Sequence, residues 1–468
     1  MDLISIIGNA GTGMSAFRAQ VATASNNIAN ANTPGYARQT AVLTETIPEE
    51  DAGTAGFIGR GVTLQGVVQS RNQFIETQLN TAFANSARST AQSDALATVT
   101  ALDPGATGGI TDALGRFYAS LRDLNQNPGD LSLRQAVVNS TQAVSTAFNR
   151  TAISLGSART GIDEQLTVLV DKVNSIAASI AELNGKIALA VNSGRTPNDV
   201  LDVRQNLIDQ LAQLIGARAV PDTHANVSMM LPGGVCLVSG SVAAKLGTQA
   251  SSANNGHLDL VYTPTDGSAL VSLKPGDLGG QVGGLVNARD AILGKAESDL
   301  NTLAYDFVTA VNDQSRLGYA LDGSGNHDLF AVLPDATNAA LRMAVDPTTY
   351  ANPSFIAAAA DPTSGPGDAR NLQAMIATEN TKLSGGLNVQ DAMAKVTSDY
   401  GIAVAWVNDA AEFDRNLLRD MMNARESASG VSVDDEMTSL LQAQNAYNAL
   451  VKVVAISSSM LDKLMQMF

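Results

Sequence analysis

Ser25-Asn26-Asn27-Ile28-Ala29-Asn30-Ala31-Asn32-Thr33-Pro34-Gly35-Tyr36 closes the first helical stretch of the chain, and its reading decides the fold. Asn side chains bond their own backbone and tolerate left-handed geometry, so a run of them loosens a helix end. Pro34 keeps Thr33 out of helical angles, and Pro34-Gly35 favours a turn. Before it, Leu3, Ile7, Ala10, Met14, Phe17, Val21, Ala24, Ile28 and Ala31 recur at alternating four- and three-residue steps. Near the other end, Met437, Leu440, Gln444, Tyr447, Val451, Val454, Ser458, Leu461, Met465 and Phe468 do the same. Such spacing lays an apolar seam along one side of a helix, and a seam sustained over several heptads predicts a coiled coil. Neither helix has an apolar partner nearby in sequence, so both ends predict contact with another chain.

The Asn run closely resembles the signature of the bacterial flagellar rod, hook and hook-associated family. Gly430-Val-Ser-Val-Asp-Asp-Glu-Met-Thr-Ser-Leu-Leu-Gln-Ala-Gln-Asn-Ala-Tyr447 resembles the partner signature of the same family, and the two stand in the family's order. Asn72-Gln-Phe-Ile-Glu-Thr-Gln-Leu79, Leu131-Ser-Leu-Arg-Gln-Ala136 and Gly279-Gly-Gln-Val-Gly-Gly-Leu-Val-Asn-Ala-Arg-Asp290 extend the resemblance over most of the chain, most weakly at 331–368. Rod and hook members are the more β-rich; the long helical middle is similar to the hook-associated members that join hook to filament.

The resemblance implies a structural adaptor with no catalysis and no cofactor. It also implies export by the flagellar type III pathway to an extracellular place in the flagellum. The partners it implies are the hook protein, a second hook-associated junction protein, further copies of the chain, and an export chaperone on the C-terminal helix. Combined with the seams, it assigns subunit assembly to Leu3, Ile7, Met14, Phe17, Val21 and Ile28, and to the signature residues Asn26, Asn27, Asn30, Thr33, Pro34, Gly35 and Tyr36. At the other end it assigns Met437, Leu440, Tyr447, Val451, Val454, Leu461 and Met465. A hook or rod subunit is the alternative within the family, and the long helices speak against it.

Composition bounds the remaining readings. The 468 residues suffice for several domains, and a net charge of -16 disfavours nucleic acid and anionic membrane as partners. No stretch reaches the ~18 apolar residues of a membrane span, so no membrane insertion is expected. The start lacks the basic region and apolar core of a secretory signal. Cys236 is the lone cysteine, so an internal disulfide is excluded, and its apolar setting predicts a buried, inert thiol.

Along the chain, a strand is expected at Val62-Thr-Leu-Gln-Gly-Val, then a helix from Arg71 to Val99, stopped by Asp103-Pro-Gly. A second helical pair is split at Asn125-Gln-Asn-Pro-Gly-Asp130. Ile162, Leu166, Leu169, Val173, Ile176, Ile180, Leu183, Ile187 and Ala190 hold a strict heptad seam. Asn198 or Asp199 is expected to cap the next helix, which stops at Gly216 and returns antiparallel. Then the period changes from 3.6 to 2: Val227, Met229 and Leu231, then Val235 and Leu237, then Leu258, Leu260 and Tyr262 alternate as strands. Helix returns from Leu285 to Val311; 318–366 is loop-rich, and a long helix runs from Val389 to Met422. The fold class is therefore mainly α with a β-rich insert, built from nested discontinuous domains. These are a terminal helical coiled-coil pair (1–40 plus 431–468), a helical middle domain (41–218 plus 275–430) and a small β domain (219–274). Seam burial offers roughly 10–20 kcal/mol per terminal helix. Ordering each residue's backbone costs about 1–2 kcal/mol, so a lone tail is expected to stay mobile until neighbours cover it.

Other chemistry is weak. Gly8-Asn-Ala-Gly-Thr-Gly13-Met14-Ser15 approaches a phosphate-binding loop, but Met14 stands at the lysine position; a secreted nucleotide-binding enzyme is the remote alternative. The glycines are better read as allowing close packing. Asp322, Ser324, Asn326 and Asp328 alternate like half a calcium loop, with His327 where glycine is required. His224, His257 and His327 read as surface histidines, and Trp406 as a packing residue. Asp434-Asp435-Glu436 reads as acids complementing a helix N-terminus.

Overall fold

The computed structural model describes residues 3–51, 56–102, 108–222, 225–265 and 267–466. Phe468 of the terminal seam, His224 and the Asp103-Pro-Gly stop lie outside the described residues. In chain order, helix α1 (Leu3–Asn30) leads to strands β1 (Gln39–Glu45), β2 (Glu49–Asp51), β3 (Gly56–Ile58) and β4 (Val62–Gln69). Helices α2 (Gln73–Ala97), α3 (Ile110–Gln126), α4 (Leu131–Asn192) and α5 (Asn198–Ile215) follow. The insert holds β5 (Arg218–Pro221), β6 (Val227–Met230), β7 (Cys236–Ser239), β8 (Val242–Ala243), β9 (Lys245–Ala250), β10 (Leu258–Thr263) and β11 (Val271–Ser272). Helix α6 (Gly280–Asn287) passes through a π turn (Ala288–Leu293) into α7 (Gly294–Arg316). Short helices α8 (Ala339–Arg342), α9 (Pro347–Ala351) and α10 (Arg370–Ala377) precede α11 (Val389–Ser429) and α12 (Val433–Met465).

Helix dominates, and the strands form small antiparallel sheets: β1-β4, β2-β3, β5-β6-β7-β8 and β11-β10-β9. The fold is thus mainly α with a β-rich insert, as the change of period predicts. Val227, Met229 and Leu231 all point inward, as do Leu237 and Leu260. The heptad seam belongs to a longer helix than expected. Helix α4 has 62 residues, about 93 Å at 1.5 Å per residue. Asp130 starts it, accepting from Ser132 N at 2.7 Å. Ile162, Leu166, Val173, Ile176, Ile180 and Ile187 are buried along it.

Helix α5 ends at Gly216, whose φ of 71° is left-handed. Its start corrects the expected cap: Pro197 is the cap residue, and Asn198 instead donates to Val67 O at 2.8 Å. Phe117, Tyr118, Phe307 and Phe330 form the aromatic centre of the helical core, with neighbouring ring centroids 5.1–6.5 Å apart. Arg134 of the Leu131-Ser-Leu-Arg motif is wholly buried and ties the loop-rich region down, donating to Ile356 O at 2.7 Å and Ser354 O at 3.1 Å.

Several expectations are corrected. Trp406, on α11, is 73% exposed. His257 is not a free surface group: its Nδ1 lies 2.6 Å from Asp163 Oδ2. His327 stacks on Phe355 with centroids 4.6 Å apart. Cys236 is half-buried rather than buried, its thiol donating to Val238 O at 3.2 Å. Asp328 turns to Arg316 at 2.7 Å, away from Asp322, which accepts from Ser324 N. The glycine run 8–13 lies inside α1, with no strand before it among the described residues.

Candidate assembly interface

Helices α1 and α12 pack along each other, so neither terminal helix is alone. This is the terminal helical pair that the two seams and their order predict. The covered line on α12 runs Glu436, Leu440, Ala443, Tyr447, Leu450, Val454, Ser457 and Leu461, of which Glu436, Ala443 and Ser457 are buried and the rest half-buried. On α1 it runs Leu3, Ile6, Ala10, Gly13, Phe17, Gln20, Ala24, Asn27 and Ala31, of which Ala10, Gly13, Ala24 and Asn27 are buried and the rest half-buried, with Ala16 and Thr23 buried beside it. Both lines keep the heptad step. Leu3, Phe17, Leu440, Tyr447, Val454 and Leu461 occupy it as expected. Ile7, Met14, Val21, Ile28, Met437 and Val451 stand one residue past it, and Met465 lies beyond its last member.

Small and polar side chains explain the shift. A seam chosen by hydrophobicity alone takes the bulkiest residues. The helices instead approach through Ala10, Gly13 and Ala443; a Cβ on Gly13 would lie 2.7 Å from Leu450 Cδ1. Several of the expected seam residues therefore lie beside these close contacts. Ile7, Met14, Val21 and Ile28 are half-buried, whereas Met437, Val451 and Met465 are exposed. Toward its end α12 carries a second apolar surface, with Val453, Ile456, Met460 and Leu464 also exposed, beside a polar face of Lys452, Ser458, Ser459, Asp462 and Lys463. Exposed apolar patches of this kind mark surfaces that partners cover.

The Asn signature proves to be a tertiary hub. Asn27 is fully buried and makes four hydrogen bonds, which exhausts its amide. Its Nδ2 donates to Gln39 O at 2.8 Å and to Glu436 Oε2 at 3.0 Å. Its Oδ1 accepts from Gln39 N at 3.0 Å and from Tyr36 OH at 2.8 Å. Asn26 donates weakly to Tyr36 OH at 3.4 Å, and Asn30 donates back to Asn26 Oδ1 at 2.9 Å. Thr33 donates to Asn30 Oδ1 at 3.2 Å. Pro34 and Gly35 carry the turn, with Gly35 at φ 80°. Burial pushes the Tyr36 hydroxyl up to about 12, helped by nearby Asp202, Asp199 and Glu436.

Glu436 is therefore more than a dipole-complementing acid. It is buried at the seam, and Arg38 Nε donates to its Oε1 at 2.6 Å. Arg38 N bonds Ser429 O at 2.9 Å, which stitches β1 to the end of α11. Beside this hub a groove of about 370 Å³ opens between α1, β1 and α12, lined by Phe17, Gln20, Thr40, Ser439 and Gln442.

A second network joins the hub to the helical middle. Arg71 donates to Gly35 O at 2.8 Å, Asp202 at 2.5 Å and Glu76 at 3.2 Å. Arg425 of α11 reaches Asp209 at 3.0 Å. Burial pushes the Glu76, Asp202 and Asp209 carboxyls up against the opposing pull of these guanidinium groups. Sequence reasoning missed Arg38, Gln39 and Arg71 and read Asn198 only as a helix cap. An acid next to the expected seam, Glu436 beside Met437, was the available signal that a buried partner waited.

Among the described residues no group of three or more His, Cys, Asp or Glu is placed to hold a metal ion, and no helix is long and apolar enough to cross a membrane. What the arrangement offers is packing surface.

Comparison with known proteins agrees. Residues 98–330 match the family model of the flagellar hook-associated protein FlgK helical domain. Residues 7–36 match the flagella basal body rod protein model, and 423–467 the flagellar basal body rod FlgEFG protein C-terminal model. Flagellar hook-associated protein 1 of Escherichia coli (strain K12) is 26% identical over 545 residues, covering 98% of this chain and 99% of that protein. The protein of the same name from Bacillus subtilis (strain 168) is 28% identical over 495 residues, covering 96% and 95%. The solved structure of the flagellar hook junction protein FlgK from Burkholderia pseudomallei shares the fold, with TM-score 0.67, 20% identity, and coverage of 75% of this chain and all of that one.

Proposed function

We propose that this chain, which belongs to the flagellar hook-associated protein 1 family, is a non-catalytic structural adaptor of the bacterial flagellum at the junction of hook and filament. The observation that carries this reading is the architecture of the ends. Two terminal helices pair through small residues and a buried Asn27–Glu436 contact, and they turn large apolar residues outward. Burying a large apolar side chain contributes roughly 1.5–3 kcal/mol, so the outward residues of α12 supply a strong drive to assemble.

In this reading 1–40 and 431–468 form the assembly domain, 41–218 and 275–430 the helical middle, and 219–274 the β domain. The hook protein, a second junction protein and neighbouring copies cover the outward faces. Before assembly an export chaperone covers the apolar end of α12, and the chain leaves the cell by the flagellar type III route. Leu3, Ile7, Met14, Phe17, Val21 and Ile28 act from α1, and Met437, Leu440, Tyr447, Val451, Val454, Leu461 and Met465 from α12. The signature residues hold both in register. Immunogold labelling of isolated hook-basal bodies tests the reading. Label at the hook tip is expected; label along the shaft, or none, overturns it.

A further inference from the structure

Residues 279–290 form the sequence signature that the assembly reading leaves without a role. They run through α6 into the π turn, and α6, the π turn and α7 make one uninterrupted rod. A π turn carries one residue more than an α turn, and such turns are rare and concentrated at functional places. The first half of the segment is pressed on the helical middle. Gly284 approaches α2 so closely that a Cβ would lie 2.3 Å from Arg88 O. Asn287 Oδ1 accepts from Gln92 of α2 at 2.7 Å.

The second half is held by the β insert together with Arg159 and Asp163 of α4. Arg289, almost wholly buried, donates to Leu258 O at 2.6 Å and to Asp163 Oδ1 at 2.5 Å. Asn254 donates to Asp290 Oδ1 at 3.0 Å and accepts from Arg159 at 3.0 Å. His257 meets the other oxygen of Asp163. Arg289 also forks Asp290, at 2.7 and 2.8 Å. Neighbouring residues of an α-helix point about 100° apart and do not face one another. In the π turn Arg289 and Asp290 address one loop of the insert together.

We infer that the π turn is a conformational coupling between the β insert and the α2–α11 pair. Docking of loop 252–258 holds Arg289 and Asp290 in the π form. Release of that loop lets the turn relax to α-helix, which turns α6 against α7 by about 100° and shifts it about 1.5 Å. Helix α6 packs on α2, and α2 on α11, the helix that leads into α12. The two-state element that such coupling requires is the turn itself.

Hydrogen exchange on the full-length protein tests this. The double variant Asn254→Ala, His257→Ala removes side-chain anchors of the insert and leaves the charges of the rod in place. Exchange at 288–293 is expected to rise about tenfold, with α7 amides around Phe307 unchanged. Faster exchange at 251–258 alone, with 288–293 unmoved, overturns the inference. The converse variant deletes Ala291, which is exposed in the π turn. It is expected to keep its helical circular dichroism while loop 252–258 loses protection by about tenfold. A folded deletion variant with the loop still protected, or one that does not fold at all, overturns the inference, because the α form would then be unlinked or inaccessible.

Discussion

Asn27 shows how one side chain sets the register of a helix pair. Its four hydrogen bonds join the end of α1, the turn, β1 and α12. Asn27→Ala leaves the Gln39 N–H and one Glu436 oxygen short of a partner in a buried place. Each such group costs roughly 1–3 kcal/mol, so a loss of about 2–6 kcal/mol is expected in denaturant melts that follow the terminal helices. A loss under 0.5 kcal/mol would sink the hub reading. Tyr118 makes a prediction about pH. Burial pushes its hydroxyl up to about 12, and the ring is fully enclosed beside Thr378 at 3.2 Å. The unfolded chain releases this proton near pH 10, whereas the folded chain holds it to about 12. Stability is therefore complete below pH 10 and falls as pH rises through that window, by about 2–3 kcal/mol from this group. Tyr118→Phe is expected to flatten that part of the alkaline melting curve while costing about 1 kcal/mol at neutral pH through the lost hydrogen bond.

At the scale of elements, two close helix contacts are expected to respond differently to a methyl group. On Gly284 the methyl meets backbone, Arg88 O at 2.3 Å, and backbone cannot turn away. Gly284→Ala should therefore push α2 and α6 apart and cost about 1–3 kcal/mol. On Gly13 it meets the end of a flexible side chain, Leu450 Cδ1, which rotates aside. There the better helix propensity of alanine, near 1 kcal/mol, offsets most of the crowding, so Gly13→Ala should change stability little. Thermal unfolding of both variants decides the matter; equal losses would mean that the α1–α12 seam is as rigid as the core.

Across the whole molecule, monomer stability and assembly separate on the surface of α12. Ile456 is 58% exposed and Met465 75% exposed, whereas Leu461 is half-buried in the seam. Ile456→Asp should leave the monomer's melting temperature within a degree or two, since exposed positions seldom change stability by more than about 0.5 kcal/mol. In an assembled junction the same carboxylate is buried, at a cost of several kcal/mol. Cells carrying the variant should make hooks and shed filament protein into the medium. Normal filaments on cells carrying Ile456→Asp would place the interface elsewhere. Trp406, 73% exposed, and Phe413, 67% exposed, lie on the outer side of α11 and are the next positions to test the same way.

The periodicity of the chain by itself determined the element types, the switch to strands after Gly216, and the two terminal helices with their heptad step. Local spacing carries that information because a helix or strand must bury one face whatever it packs against. The signature residues likewise marked the end of α1 before any contact was known. The partners of those faces were decided only in three dimensions. Hydrophobic spacing could not tell that α1 and α12 meet through Gly13, Ala443 and Asn27, because close approach rewards small side chains that a hydrophobic reading passes over. It could not tell that Trp406 faces outward, because a long helix offers two faces and only packing chooses between them. Nor could it place Arg38 on Glu436, 398 positions away in sequence, because a buried charge is tolerable only where the fold has already brought its partner within reach.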